Sequence, residues 1–124
     1  MDTRDKIISL ADVSTALANG EWVAVVSGFD PMTVFEAERL AELGKDRKLL
    51  AVVLEEDGTL LEASARAALV AALRDVYAVT IASPQSWQAV LKQNPAMKVI
   101  EDPTADAARR NAFVEMVLTK QQLR

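Results

Sequence analysis

The sequence predicts an α/β domain in three layers, a parallel sheet with helices on both faces. Three observations predict it. Four short, β-rich apolar runs recur along the chain, helical patterns fill the intervals between them, and each run is nearly continuous rather than alternating. Continuous apolar runs are what strands covered on both faces require. Strand and helix alternating at this spacing make the strands parallel, joined by helical crossovers.

The elements follow in order. Residues 1–20 form a lead-in, with "SLADVSTALANG" reading as a short helix ended by Asn19-Gly20. The strand candidates are Trp22–Ser27, Leu49–Leu54, Tyr77–Ala82 and the short Lys98–Ile100. Between the first two lies "TVFEAERLAEL", which puts Phe35, Leu40 and Leu43 on one face and stops at Gly44, a suitable residue to follow a helix. "EASARAALVAALRD" is alanine-rich, with Leu69 and Leu73 as its expected anchors. "SPQSWQAVLKQ" opens with Pro84 in the first turn, where a fixed φ and a missing donor do no harm. A long helix over 104–121 closes the chain, with Phe113, Met116, Val117 and Lys120 along one stripe.

Length and composition bound the function. With 124 residues the chain is most simply one domain, 1–124, large enough to fold without staples. It has no cysteine, which excludes disulfide frameworks and thiolate metal sites, and no histidine, which removes the usual neutral-pH base and the commonest transition-metal ligand. A net charge of −4 argues against a general nucleic-acid surface. The N-terminus, "MDTRDKIISL", lacks the apolar core of a secretory signal, and no apolar run approaches the ~20 residues of a membrane span. The expected location is cytoplasmic, with no membrane partner.

The stretch "SGFDPMTVFEAE", residues 27–38, carries the functional question, because ligands of parallel α/β sheets bind outside the carboxyl ends of the strands. "KIISLADVSTALANGEWVAVVSGFDPMTVFEAERLAELG" resembles the start of cytidylyltransferase-like nucleotidyltransferases, above all the adenylyltransferase domain of bifunctional ADP-heptose synthases. "ARAALVAALRDVYAVTIA" is similar to the segment in which that family's arginine-bearing helix leads into its next strand. The likeness covers most of residues 6–82. It implies a Rossmann-like, nucleotidyltransferase-like sheet of order 3-2-1-4-5, a nucleotide ligand, and a homodimer to which the terminal helix contributes.

What the resemblance implies for chemistry is a loss. The family's His-x-Gly-His motif, aligned from Phe29-Asp30, places its two histidines on Thr33 and Glu36 and its glycine on Phe35, while the first-turn glycine falls at Gly28. The basic loop that grips a triphosphate is replaced by "LEEDGTLLEASAR", in which only Arg66 matches a family cation. The candidate ligand-binding residues are therefore Gly28, Phe29, Asp30, Thr33 and Arg66, with no catalytic residue and no metal ligand assigned.

The residues themselves supply a competing account of each. Thr33-Val34-Phe35-Glu36 is a capping box, in which the threonine hydroxyl and the glutamate carboxylate satisfy the amides a phosphate would use. Glu36 beside a bound triphosphate would repel it by ~4 kcal/mol per close pair at an effective dielectric of ~20. Gly28 reads as a tight turn or a ligand cradle, and Asp30 as a partner of turn amides or a ligand-facing group. Arg66 reads as a solvated or ion-paired residue, or as the surviving phosphate contact. Glu55-Glu56-Asp57-Gly58 reads as a solvated turn before a divalent-cation site, Arg109-Arg110 as solvated, and Trp22 and Trp87 as packing residues.

Three functions follow. The first is a degenerate nucleotidyltransferase-like module without efficient catalysis, binding a nucleotide, another small ligand or a protein, and needing no cofactor. The second is an active enzyme that transfers a nucleotidyl group from CTP or ATP to a phosphorylated small molecule, using Thr33, Arg66 and Mg²⁺ in an altered site. The third is an assembly module that binds no nucleotide.

Overall fold

The structure, a computed structural model, describes residues 2–18, 20–30, 34–55 and 59–101, with the side chains of Phe35 and Glu101 left aside. The strands are β1 (Trp22–Ser27), β2 (Lys48–Leu54), β3 (Ala78–Ala82) and β4 (Lys98–Glu101), each within a residue of its expected bounds. They form one parallel sheet of order β3-β2-β1-β4. The register pairs Val25 with Ala51 on one side and with Ile100 on the other. Among the described residues there are four strands. The fifth strand expected beside β4 would come from residues 102–124, which lie outside the described residues, as does the expected 104–121 helix with Phe113, Met116 and Val117.

Helices pack against both faces, and the strands show why. Alternate residues of a strand point to opposite faces. Val23 and Val25 of β1 join Leu49, Ala51 and Val53 of β2 in one core, closed by Leu40 of α2 (Val34–Leu43) and by Ala67, Val70 and Ala71 of α3 (Ala63–Ala71). Trp22, Ala24 and Val26 join Leu50 and Val52 in the other core. Val13 of α1 (Leu10–Leu17) and Trp87 and Val90 of α4 (Pro84–Gln93) close that one. Every residue of β1 is buried, so each valine there contributes about 1.5–3 kcal/mol of burial.

Local signals set the ends. Ser83 caps α4, its hydroxyl accepting from the Ser86 amide at 3.1 Å, and Pro84 takes the first turn as expected. Gly20, ahead of β1, has a φ of 94° that favours glycine. Gly44 follows α2 for a different reason from the one the sequence offers. A Cβ there would collide with the Asp75 carbonyl oxygen, so glycine is dictated by close approach of two backbones.

One expectation is corrected. Leu69 does not anchor α3 but is 49% exposed, while Leu73 is partly buried. The small residues Ala67 and Ala71, with Val70, form the inward stripe and let the helix lie close to β2 and β3. At the N-terminus, α1 is the short helix expected of the lead-in, and ahead of it a 3-10 turn (Thr3–Lys6) precedes a parallel bridge from Ile7 to Val79. The Ile8 amide donates to the Val79 carbonyl at 2.8 Å, so the lead-in covers part of the outer edge of β3.

Candidate functional site

Strand order reverses at β1. The chain leaves β1 for β2 and β3 on one side and returns to β4 on the other, so the switch point lies at the carboxyl end of β1. Ser27, Gly28, Phe29 and Asp30 leave the sheet there.

The turn is built around Phe29. It has a φ of 51°, the left-handed region that costs a non-glycine residue about 1–2 kcal/mol. The strained position is thus Phe29 rather than the neighbouring Gly28. Its ring is buried in the core with Val25 and Leu40, and this burial offsets the backbone cost. The Phe29 amide donates to the Ser27 hydroxyl at 3.3 Å.

Asp30 is completely buried. One carboxylate oxygen accepts from the Leu60 amide, and the other accepts from the Leu61 amide at 3.1 Å. Of the two readings the sequence left open, this is the one in which Asp30 serves loop amides. The loop it serves, however, is the one entering α3, thirty residues away in sequence.

Arg66 is neither solvated nor ion-paired in the way its helix composition implied. It is 2% exposed. Its guanidinium donates through Nη1 to the Gly28 carbonyl at 2.6 Å and to the Leu54 carbonyl at 2.9 Å. Nε donates to the Leu61 carbonyl at 3.0 Å. One cation thereby ties the exits of β1 and β2 to the loop before α3. Sequence reasoning missed this because an arginine on an alanine-rich helix carries no sign of which carbonyls surround it.

Glu36 lies in the first turn of α2, as expected, and is buried. Its Oε1 is 3.8 Å from Nη1 of Arg39 one helical turn along. Thr33, the other half of the expected capping box, lies outside the described residues. So do Glu56, Asp57 and Gly58, while Glu55 is exposed and its amide donates to the Ala82 carbonyl at 2.9 Å. Trp22 and Trp87 are buried packing residues.

Gly28, Phe29, Asp30 and Arg66 therefore meet at one turn, with the side chains of Asp30 and Arg66 hydrogen-bonded to the protein's own backbone. Two cavities lie away from this turn. They lie at the amino ends of the strands, one lined by Trp22, Asn94 and Lys98 and another by Arg47, Arg74 and Tyr77. Among the described residues no cluster of acidic side chains, histidines or cysteines is placed to hold a metal ion. No described helix is long and apolar enough to cross a membrane. No protein-family model matches the chain, and no curated protein matches it in sequence.

Proposed function

We propose that this chain is a degenerate nucleotidyltransferase-like domain, of three-layer Rossmann-like architecture, that works by binding rather than by catalysis. The observation that carries the reading is the commitment of Arg66. The resemblance makes it the one cation retained for phosphate, yet the N–H donors of Nε and Nη1 serve the carbonyls of Leu61, Gly28 and Leu54. A guanidinium reoriented toward a ligand would leave the buried Gly28 carbonyl unsatisfied, at about 1–3 kcal/mol, and the part-buried carbonyls of Leu54 and Leu61 at less.

The surroundings support the same reading. Phosphoryl transfer depends on cations placed where charge grows on the phosphoryl oxygens. At this switch point the buried ionisable groups are Asp30, Glu36 and Arg66, two acids to one base. With the histidine positions taken by Thr33 and Glu36, each missing donor costs about 10²–10³ in rate. The active-enzyme reading, with Mg²⁺ and Arg66, would have to work through Nη2 alone, since Nε and Nη1 serve backbone carbonyls.

What the domain binds, on this reading, meets the exposed loop that Asp30 and Arg66 hold in place. Leu60 and Leu61 project there as exposed apolar side chains while their backbones are fixed. The homodimer and the assembly role belong to this proposal. The test is a coupled assay for pyrophosphate release with CTP, ATP, GTP and UTP and a panel of sugar and polyol phosphates, with Mg²⁺ present. Background rates are expected throughout. Turnover that Arg66→Ala abolishes would overturn the reading.

A further inference from the structure

Charged groups gather at both ends of the strands. Asp30, Glu36, Glu55 and Glu62 belong to the segments at the carboxyl ends of β1 and β2. At the amino ends, a cavity of about 520 Å³ is lined by Lys6, Arg47, Lys48 and Arg74 against Asp5 and Asp75. Four cations face two carboxylates in a chain whose net charge is −4.

Two of the four cations are positioned by the protein itself. Nζ of Lys6 donates to the Leu73 carbonyl at 2.9 Å, just past the end of α3. Nζ of Lys48 sits 4.9 Å from the centroid of the Tyr77 ring and 5.6 Å from that of Trp22, which meets Tyr77 edge to face at 5.2 Å. Arg47 and Arg74 are different. Both are exposed, and neither has a hydrogen-bond or ion-pair partner among the described residues. Helix dipoles do not account for them. Arg47 lies four residues beyond the end of α2 and Arg74 three beyond the end of α3, and the dipole's pull fades within the last turn.

We propose that this cavity is a binding site for a small phosphate ester, with Arg47 and Arg74 holding the phosphate and Tyr77 flanking the organic part. Two guanidinium forks match the several acceptor oxygens of a phosphate dianion better than the two of a carboxylate. The net excess of two positive charges in the lining matches that dianion. Tyr77 offers the ester a flat surface, since its ring is held by Trp22 and Lys48 yet the residue is 56% exposed. The cavity falls in the size range of small-molecule sites, roughly 300–1,000 Å³. This site goes beyond the reading of the switch point and does not rest on it.

The experiment is a ¹⁵N–¹H NMR titration of the full chain with inorganic phosphate and with phenyl phosphate, at ionic strength held constant with chloride. Saturable shifts are expected at the amides of Gly44, Asp75 and Val76, with phenyl phosphate the tighter ligand. Arg47→Gln/Arg74→Gln is expected to weaken both ligands about tenfold or more, and Tyr77→Leu to weaken phenyl phosphate alone. All three residues are exposed, and the rest of the spectrum reports whether each variant stays folded. Shifts that do not saturate, that survive the double substitution, or that centre on Gly28 and Leu61 instead would overturn the proposal.

Discussion

Asp30 and Arg66 hold one residue from its two sides: the Leu61 amide donates to Oδ1 of Asp30 at 3.1 Å, and the Leu61 carbonyl accepts from Nε of Arg66 at 3.0 Å. Both side chains are buried, and Arg66 also reaches Gly28 in the same turn as Asp30. An anionic and a cationic group are thus linked through a single residue of backbone. At the switch point, the Asp30 carboxylate and the Arg66 guanidinium of α3 fasten the loop before α3.

Arg66→Ala is expected to destabilise the protein by about 2–5 kcal/mol, because it strips donors from the buried Gly28 carbonyl and the part-buried carbonyls of Leu54 and Leu61. Arg66→Lys keeps the charge but cannot bridge three carbonyls with one ammonium group, so a smaller loss of about 1–3 kcal/mol is expected. Asp30→Asn turns one acceptor into a donor facing an amide. A double-mutant cycle of Asp30→Asn with Arg66→Lys in urea is expected to show coupling of about 0.5–3 kcal/mol, since the two share Leu61. Strict additivity would mean that the shared residue does not transmit force between them.

Thr80→Val is expected to stabilise. The Thr80 hydroxyl is fully buried on the face of β3 that packs toward α4, and it has no hydrogen-bond partner among the described residues. Valine has nearly the same shape and an equal liking for a strand. Removing the orphaned hydroxyl is expected to raise stability by about 1–3 kcal/mol, read as a higher urea midpoint at unchanged slope.

Gly44→Ala is expected to destabilise by about 1–3 kcal/mol, because its Cβ would be driven into the Asp75 carbonyl. The cause is steric and not conformational. A helix-forming substitution that ordinarily helps at a position of negative φ is therefore expected to lower the thermal midpoint here.

Much of the sheet was legible in the sequence, and the reason is physical. Strands buried on both faces must be apolar throughout, so Trp22–Ser27 and Lys48–Leu54 announced themselves with almost no error at their ends. Alternation with helices made the strands parallel, whereas the order β3-β2-β1-β4 was implied only by the resemblance. Side-chain destinations were less legible. Leu69 looked like an anchor because large apolar residues usually are, but close helix–sheet packing selected Ala67 and Ala71, with Leu73 packed at the core's margin. Arg66 looked like a surface residue because nothing local marks the carbonyls of Gly28 and Leu54 that converge on it. The basic cavity at the amino ends was not read at all. Its cations come from three separate segments, Lys6, Arg47-Lys48 and Arg74, and only the fold collects them.

Restoring the histidines that the resemblance assigns to this turn is expected to restore no catalysis. Thr33→His/Glu36→His would supply both missing cations and remove a buried carboxylate 3.8 Å from Arg39. In a scaffold with an intact phosphate site, recovery of two such donors would raise the rate by about 10⁴-fold or more. Here Arg66 would still be bound to the carbonyls of Gly28, Leu54 and Leu61, and "EED" would still stand where basic residues are wanted. Pyrophosphate release by the double variant is therefore expected to stay at background, with circular dichroism confirming that it folds. Turnover above background would show that the histidines alone were lacking, and that the fastening of Arg66 is no obstacle to chemistry.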